Sequence, residues 1–149
     1  MFEVKNNIFE MEIMMSVRII IDSASDLTKE QADKLGLDFL PLKTIFGTKE
    51  YLDGITLSHQ QFYEKLIGLI HDNISNSEFG ITNICEELNI SRTQLYRKVK
   101  AVTDIPISTL IRNLRMEKAY ELFKNNDYTV SEVMYQVGIN SNSYFTKTF

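Results

Sequence analysis

The stretch NISRTQLYRKVKAVT, residues 89–103, decides how this chain is read. Between Ser91 and Thr103 it holds four bases, Arg92, Arg97, Lys98 and Lys100, and no acid. Ser91 with Gln94 three residues on is a capping box, so a helix starts there. Leu95, Val99 and Val102 recur at spacings of four and three, which marks one face of that helix as inward. The bases fall mostly outside this stripe, on a face open to a polyanion. The rest of the chain makes the stretch conspicuous, because its 149 residues carry a formal charge of −4.

The charge is also unevenly placed. Residues 1–80 carry 7 bases and 13 acids, net −6, and residues 81–149 carry 9 bases and 7 acids, net +2. Such asymmetry points to two modules with different partners. A hydrophobic fraction of 44% and a charged fraction of 24% are those of a soluble globular protein. No apolar run approaches the roughly 18 residues that span a bilayer. The opening MFEVKNNIFEMEIMM has acids at Glu3, Glu10 and Glu12 and is not a secretion signal. A cytoplasmic protein without a membrane partner is expected, and the single cysteine, Cys85, excludes an internal disulfide.

Downstream of the quoted stretch, a long helix is expected from near Pro106 to about Phe123, with Leu110, Ile111, Leu114, Ala119, Leu122 and Phe123 as its apolar positions. Thr129 with Glu132 opens another helix, Gly138 supplies a turn, and SNSYFTKTF begins one more. Upstream, TNICEELN puts Ile84, Cys85 and Leu88 on one face. Two short helices joined by a tight turn therefore occur twice, at about 82–88 with 92–102 and at about 130–136 with 142–149. The second helix of such a pair is the one presented to the DNA major groove.

The first third reads differently. Val17–Ile21 reads as a buried β-branched strand. Thr28 with Gln31 caps a helix that Gly36 closes. FLPLKTIFG reads as a second extended run, placed at an edge or bend by Pro41. Ser58 with Gln61 opens the helix HQQFYEKLIGLI. Strand signals end near residue 67. The expected fold class is α+β: an N-terminal partial α/β unit, then an all-α domain of two helix-turn-helix units joined by a linker helix. The expected division is an unassigned extension over 1–14, an α/β fragment over 15–66 and a helical domain over 68–149.

The segments ICEELNISRTQLYRKVKAVTDIPISTLIRNLRMEKAYELF and YTVSEVMYQVGINSNSYFTKTF resemble the DNA-binding domain of AraC-type transcription regulators. The wording is most similar to the output modules of hybrid two-component regulators. The resemblance implies bacterial transcription regulation, with double-stranded DNA as partner, RNA polymerase as a candidate second partner and a homo-oligomer as a candidate state. It implies that Thr93, Tyr96 and Arg97 face bases, with Arg92, Gln94, Lys98 and Lys100 on phosphates or flanking positions. In the second unit it implies Asn142, Ser143 and Lys147. Because family members continue past the final FTKTF, a weakly packed second unit is expected.

Residues 15–66, with DSASDL, PLKTIFG, YLDG and FYEKL in order, resemble the opening of DegV proteins, which bind a fatty acid. The hydroxyls that hold the lipid carboxylate in that family lie beyond the FYEKL helix, where this chain turns to IGLIHDNISNSEFG. Fatty-acid binding is therefore not expected. The alternative functions are a DegV-like lipid-binding fragment and a non-functional fusion of two incomplete modules.

No enzyme is expected. Asp22 and Asp26 flank a turn whose chemistry accounts for them, Ser23 and Ser25 have no histidine nearby in sequence, and Cys85 suits a helix's inner face. His59 and His71, with no second cysteine, do not make a zinc site. No phosphate-binding glycine loop is present, and no cofactor or metal is expected.

Overall fold

The computed structural model describes residues 17–149 apart from Asp26 and Asn126. The expected extension over residues 1–14 lies outside them. The described residues give a mixed α+β fold of four short strands and seven helices. It divides into two compact units between Leu42 and Lys43.

In the first unit β1 (Ile20–Asp22) pairs in parallel with β2 (Asp38–Leu40), Ile21 opposite Phe39. Helix α1 (Lys29–Lys34) connects them, with the Thr28–Gln31 capping box in place at its start. Gly36 adopts φ +69° just past its end, a backbone shape that costs glycine nothing. The expectation of a buried first strand is corrected. Ile19, Ile20 and Leu40 are more than half exposed, because a two-stranded sheet leaves each strand an open edge and open faces.

The second unit begins with a hairpin. The expected single run FLPLKTIFG breaks around Pro41, which cannot donate to a ladder. Its second half is β3 (Lys43–Phe46), antiparallel to β4 (Lys49–Leu52) across the two-residue loop Gly47–Thr48. Helix α2 (His59–Asp72), opened by the Ser58–Gln61 capping box, runs unbroken through the sequence seam at residue 67. Five more helices follow: α3 (Ile81–Leu88), α4 (Arg92–Lys100), α5 (Ile107–Asn125), α6 (Val130–Gln136) and α7 (Asn142–Thr148).

Two buried clusters organise this unit. One gathers Leu57, Phe62, Leu66 and Ile70 with Ile84, Leu88, Leu95 and Val99, and with Ile107, Leu110, Ile111 and Leu114 of α5. The other gathers Ala119 and Leu122 of α5 with Val133, Met134, Val137, Ile139 and Phe145. Helix α5 thus contributes its first half to one core and its second half to the other. The hairpin joins the first cluster through Phe46 and Tyr51, with the Phe46 ring edge-on to Phe62 at 5.8 Å. The second cluster is better packed than its sequence suggests: Phe145 is buried and its ring stacks on Phe149 at 5.4 Å.

Candidate nucleic-acid interface

The two helix pairs repeat one burial pattern. In the first, Ile84, Leu88, Ile90 and Leu95 are buried; in the second, Val133, Val137, Ile139 and Phe145 are. The spacing agrees from the first residue to the third of each set, and the second turn is one residue longer. Each turn contains a residue with positive φ, Asn89 at 52° and Gly138 at 65°, followed by a buried isoleucine and then a serine cap. The chain reverses direction there because asparagine and glycine tolerate the left-handed region. Counting from the buried Leu95 and Phe145, Arg92, Thr93 and Arg97 correspond to Asn142, Ser143 and Lys147.

On α4, Arg92, Thr93, Tyr96, Arg97 and Lys100 are exposed. Tyr96, Arg97 and Lys100 share a cleft of about 350 Å³ with Asp104, Ile105 and Pro106. Arg92 donates from Nη2 to Thr82 Oγ1 at 2.7 Å, which ties the start of α4 to α3. Gln94 is engaged in the capping box, its Oε1 accepting from Ser91 N at 2.7 Å. That bond turns its amide oxygen toward the helix start.

Lys98 corrects the sequence reading. The resemblance puts it on a phosphate or a flanking position, but it is 5% exposed and paired with the carboxylate of Asp53, itself 4% exposed. Its ammonium also lies 4.7 Å from the centre of the Phe62 ring. A charge withdrawn from water needs such a partner, and a ring face adds to the attraction. Lys98 is three residues after inward Leu95, so it shares the buried stripe rather than the open face. The residue that neutralises it comes from the YLDG turn beyond the hairpin, 45 residues earlier.

On α7, Asn142, Ser143 and Lys147 are exposed, and Asn142 Oδ1 accepts from Thr146 Oγ1 at 3.2 Å. Ser141 caps the helix by accepting from Tyr144 N at 3.3 Å. Behind α7 lies a side chain that the sequence reading passed over. Arg115 of α5 donates to Asn76 O at 2.8 Å, Phe79 O at 3.3 Å and Gly138 O at 3.1 Å. One guanidinium thus ties the loop before α3 to the turn between α6 and α7. Burial pulls Arg115 below its ordinary pKa, and neighbouring Tyr144 acts in the opposite sense. Asn140 adds a bond from Nδ2 to Ser77 Oγ at 3.0 Å. Ser108, Arg112 and Arg115 recur at spacings of four and three along α5, a polar stripe visible in the sequence.

The two halves of the chain match two different families. Residues 84–149 match the model of a helix-turn-helix domain, and residues 16–71 match that of an uncharacterised DegV family. A histidine kinase P4 of Formosa agariphila is 33% identical over 112 residues, which is 72% of this chain and 8% of the kinase. A DegV domain-containing protein of Mycoplasmopsis pulmonis is 52% identical over 50 residues, 34% of this chain and 17% of that protein. The chain therefore spans a small part of the length of these curated relatives. The second unit's fold is similar to the C-terminal domain of the two-component response regulator yesN from Fusobacterium nucleatum. That match has a TM-score of 0.54 and 28% identity, and covers 59% of this chain and 92% of that domain.

Proposed function

We propose that the C-terminal region, which matches a helix-turn-helix domain over residues 84–149 and is similar in fold to a response-regulator output domain, is an AraC-type DNA-binding domain, and that the chain binds double-stranded DNA sequence-specifically and regulates transcription. The observation that carries this reading is the repeated burial pattern. It gives two helices, α4 and α7, whose capped starts and outward faces are built alike and carry Arg92, Thr93, Tyr96, Arg97 and Lys100 on one and Asn142, Ser143 and Lys147 on the other. In this reading Arg97 pairs with the acceptor edge of guanine, Thr93 and Tyr96 make neighbouring base contacts, and Lys100 meets a phosphate. Lys98 has a structural task instead. Among the described residues no helix is long and apolar enough to cross a membrane.

The test begins with selection of bound sequences from a random duplex library, followed by gel-shift titrations at several salt concentrations. Each phosphate contact contributes a slope of roughly −0.9 in log K against log salt. Lys100→Ala is expected to flatten the slope by about 0.9 and to weaken selected and random DNA alike. An unchanged slope would make Lys100 an ordinary solvated charge. Failure of the wild-type chain to enrich any sequence would sink the reading itself.

Arg97→Ala has a different expected signature. Losing a bidentate arginine–guanine pair costs about 1–3 kcal/mol on the selected site and little on random DNA. Competition between the two DNAs measures the difference. Equal weakening would assign Arg97 to a phosphate, and no weakening would remove α4 from the reading surface.

A further inference from the structure

Two clefts adjoin along α5. One, of about 660 Å³, lies between α5 and α7 and is lined by Arg112, Asn113, Met116, Tyr144, Lys147 and Thr148. The other, of about 290 Å³, reaches from Arg112 and Tyr144 past Ser108 to Phe79, Gly80 and Ile81 at the start of α3. Arg112 and Tyr144 line both, so the two clefts form one trough. It runs from the second helix-turn-helix unit to the first, across the helix that links them.

The trough has the chemistry of an anion site. It brings two cations together, Arg112 from α5 and Lys147 from α7, and among the described residues no acidic side chain lines either cleft. The acid nearest by shared lining is Glu78, in a neighbouring cleft with Arg115, Ile139 and Tyr144. Both cations are exposed, and neither has a carboxylate partner among the described residues. This contrasts with Lys118 on the same helix, which pairs with Glu121 at 3.3 Å. Arg115 cannot serve as a third cation, because its guanidinium is committed to three backbone carbonyls. Arg115 lines the second cleft together with Arg112.

We propose that this trough is a DNA-backbone site, in which Arg112 and Lys147 hold the phosphodiester strand that passes between the segments read by α4 and α7. The proposal rests on the DNA-binding reading above and adds a contact that belongs to neither reading helix's base-facing set. A strand that leaves one major groove for the next presents its phosphates between the two reading helices. An arginine there neutralises a phosphate without distinguishing bases. Lys147, which the resemblance puts on the second reading helix, meets a phosphate rather than a base in this proposal.

The experiment compares Arg112→Gln, Arg112→Lys and Lys124→Gln with the wild-type chain in salt titrations on selected and random duplexes. Lys124 lies at the far end of α5, outside the trough, and controls for a mere change of net charge. Arg112→Gln is expected to flatten the salt slope by roughly 0.9 and to weaken both DNAs about eightfold at 0.1 M salt. Arg112→Lys keeps the charge and should retain the slope, and Lys124→Gln should leave it unchanged. An unaltered slope for Arg112→Gln, or equal flattening by Lys124→Gln, overturns the proposal. Loss confined to the selected DNA also overturns it, because Arg112 would then read a base. Should the wild-type chain bind no duplex, the parent reading falls and this one with it. Wild-type binding with an unaffected Arg112→Gln sinks the trough alone.

Discussion

Asp53→Ala is expected to destabilise the unit formed by residues 43–149 by about 3–5 kcal/mol, the usual cost of leaving one member of a buried ion pair alone. The Lys98 ammonium would remain almost fully enclosed, facing the Phe62 ring with no carboxylate beside it. Lys98→Ala should cost a comparable amount for the converse reason. The informative variant is the double change Asp53→Ala with Lys98→Met. Methionine keeps the length of the stem and removes the charge, so most of the loss should be recovered, since apolar replacements of buried pairs are often neutral or better. Urea unfolding measures all three. If the double variant were as unstable as either single one, the pair would act through shape rather than charge. A marked loss in Asp53→Ala would also show that the hairpin segment, which resembles one family, is part of the folding unit of the other.

Gly138→Ala should follow closely, at about 2–4 kcal/mol, because two costs add there. A Cβ on Gly138 would stand 2.7 Å from Ile74 O and 3.0 Å from the carbonyl carbons of Ser75 and Asn76, all backbone atoms that cannot swing aside. Its φ of +65° is also strained for alanine. Gly47 separates the two effects. It has a similar φ of +60° but nothing within 4 Å of an added Cβ. Gly47→Ala should therefore cost only the conformational part, about 1–2 kcal/mol. Thermal unfolding of the two variants side by side gives the steric share by difference. Equal midpoints would mean that the 74–76 loop yields to the methyl group.

Local signals in this chain were legible and long-range ones were not. The capping boxes at Thr28, Ser58, Ser91 and Thr129 are all formed, because each needs only two residues three apart. The apolar stripes of α4 and α5 likewise named Leu95, Val99, Leu110 and Leu114 as buried. Lys98 defeats the resemblance that sends it to the DNA, because its place three residues after Leu95 puts it in the buried stripe. Its partner lies in a turn 45 residues away, a distance no local pattern bridges. The hairpin was missed although Gly47–Thr48 between two extended runs is a two-residue turn signal. Strand β1 was read as buried from its isoleucines alone, yet burial depends on neighbouring strands that the sequence of one strand does not count. Arg115 was overlooked because its three acceptors are backbone carbonyls, and these have no signature in the sequence at all.

The guanidinium of Arg115 has a mechanical meaning for the proposed binding of DNA. By tying residues 76 and 79 to Gly138, it makes the separation of α4 and α7 a property of the fold rather than of a hinge. If α4 and α7 enter one duplex as proposed, a fixed separation leaves any misfit with the pitch of a straight double helix to be taken up by the DNA. The work of bending then depends on the base steps between the two contacted segments, with pyrimidine–purine steps yielding most readily. Selectivity would extend to positions that no side chain touches, imposed by the elasticity of the ligand.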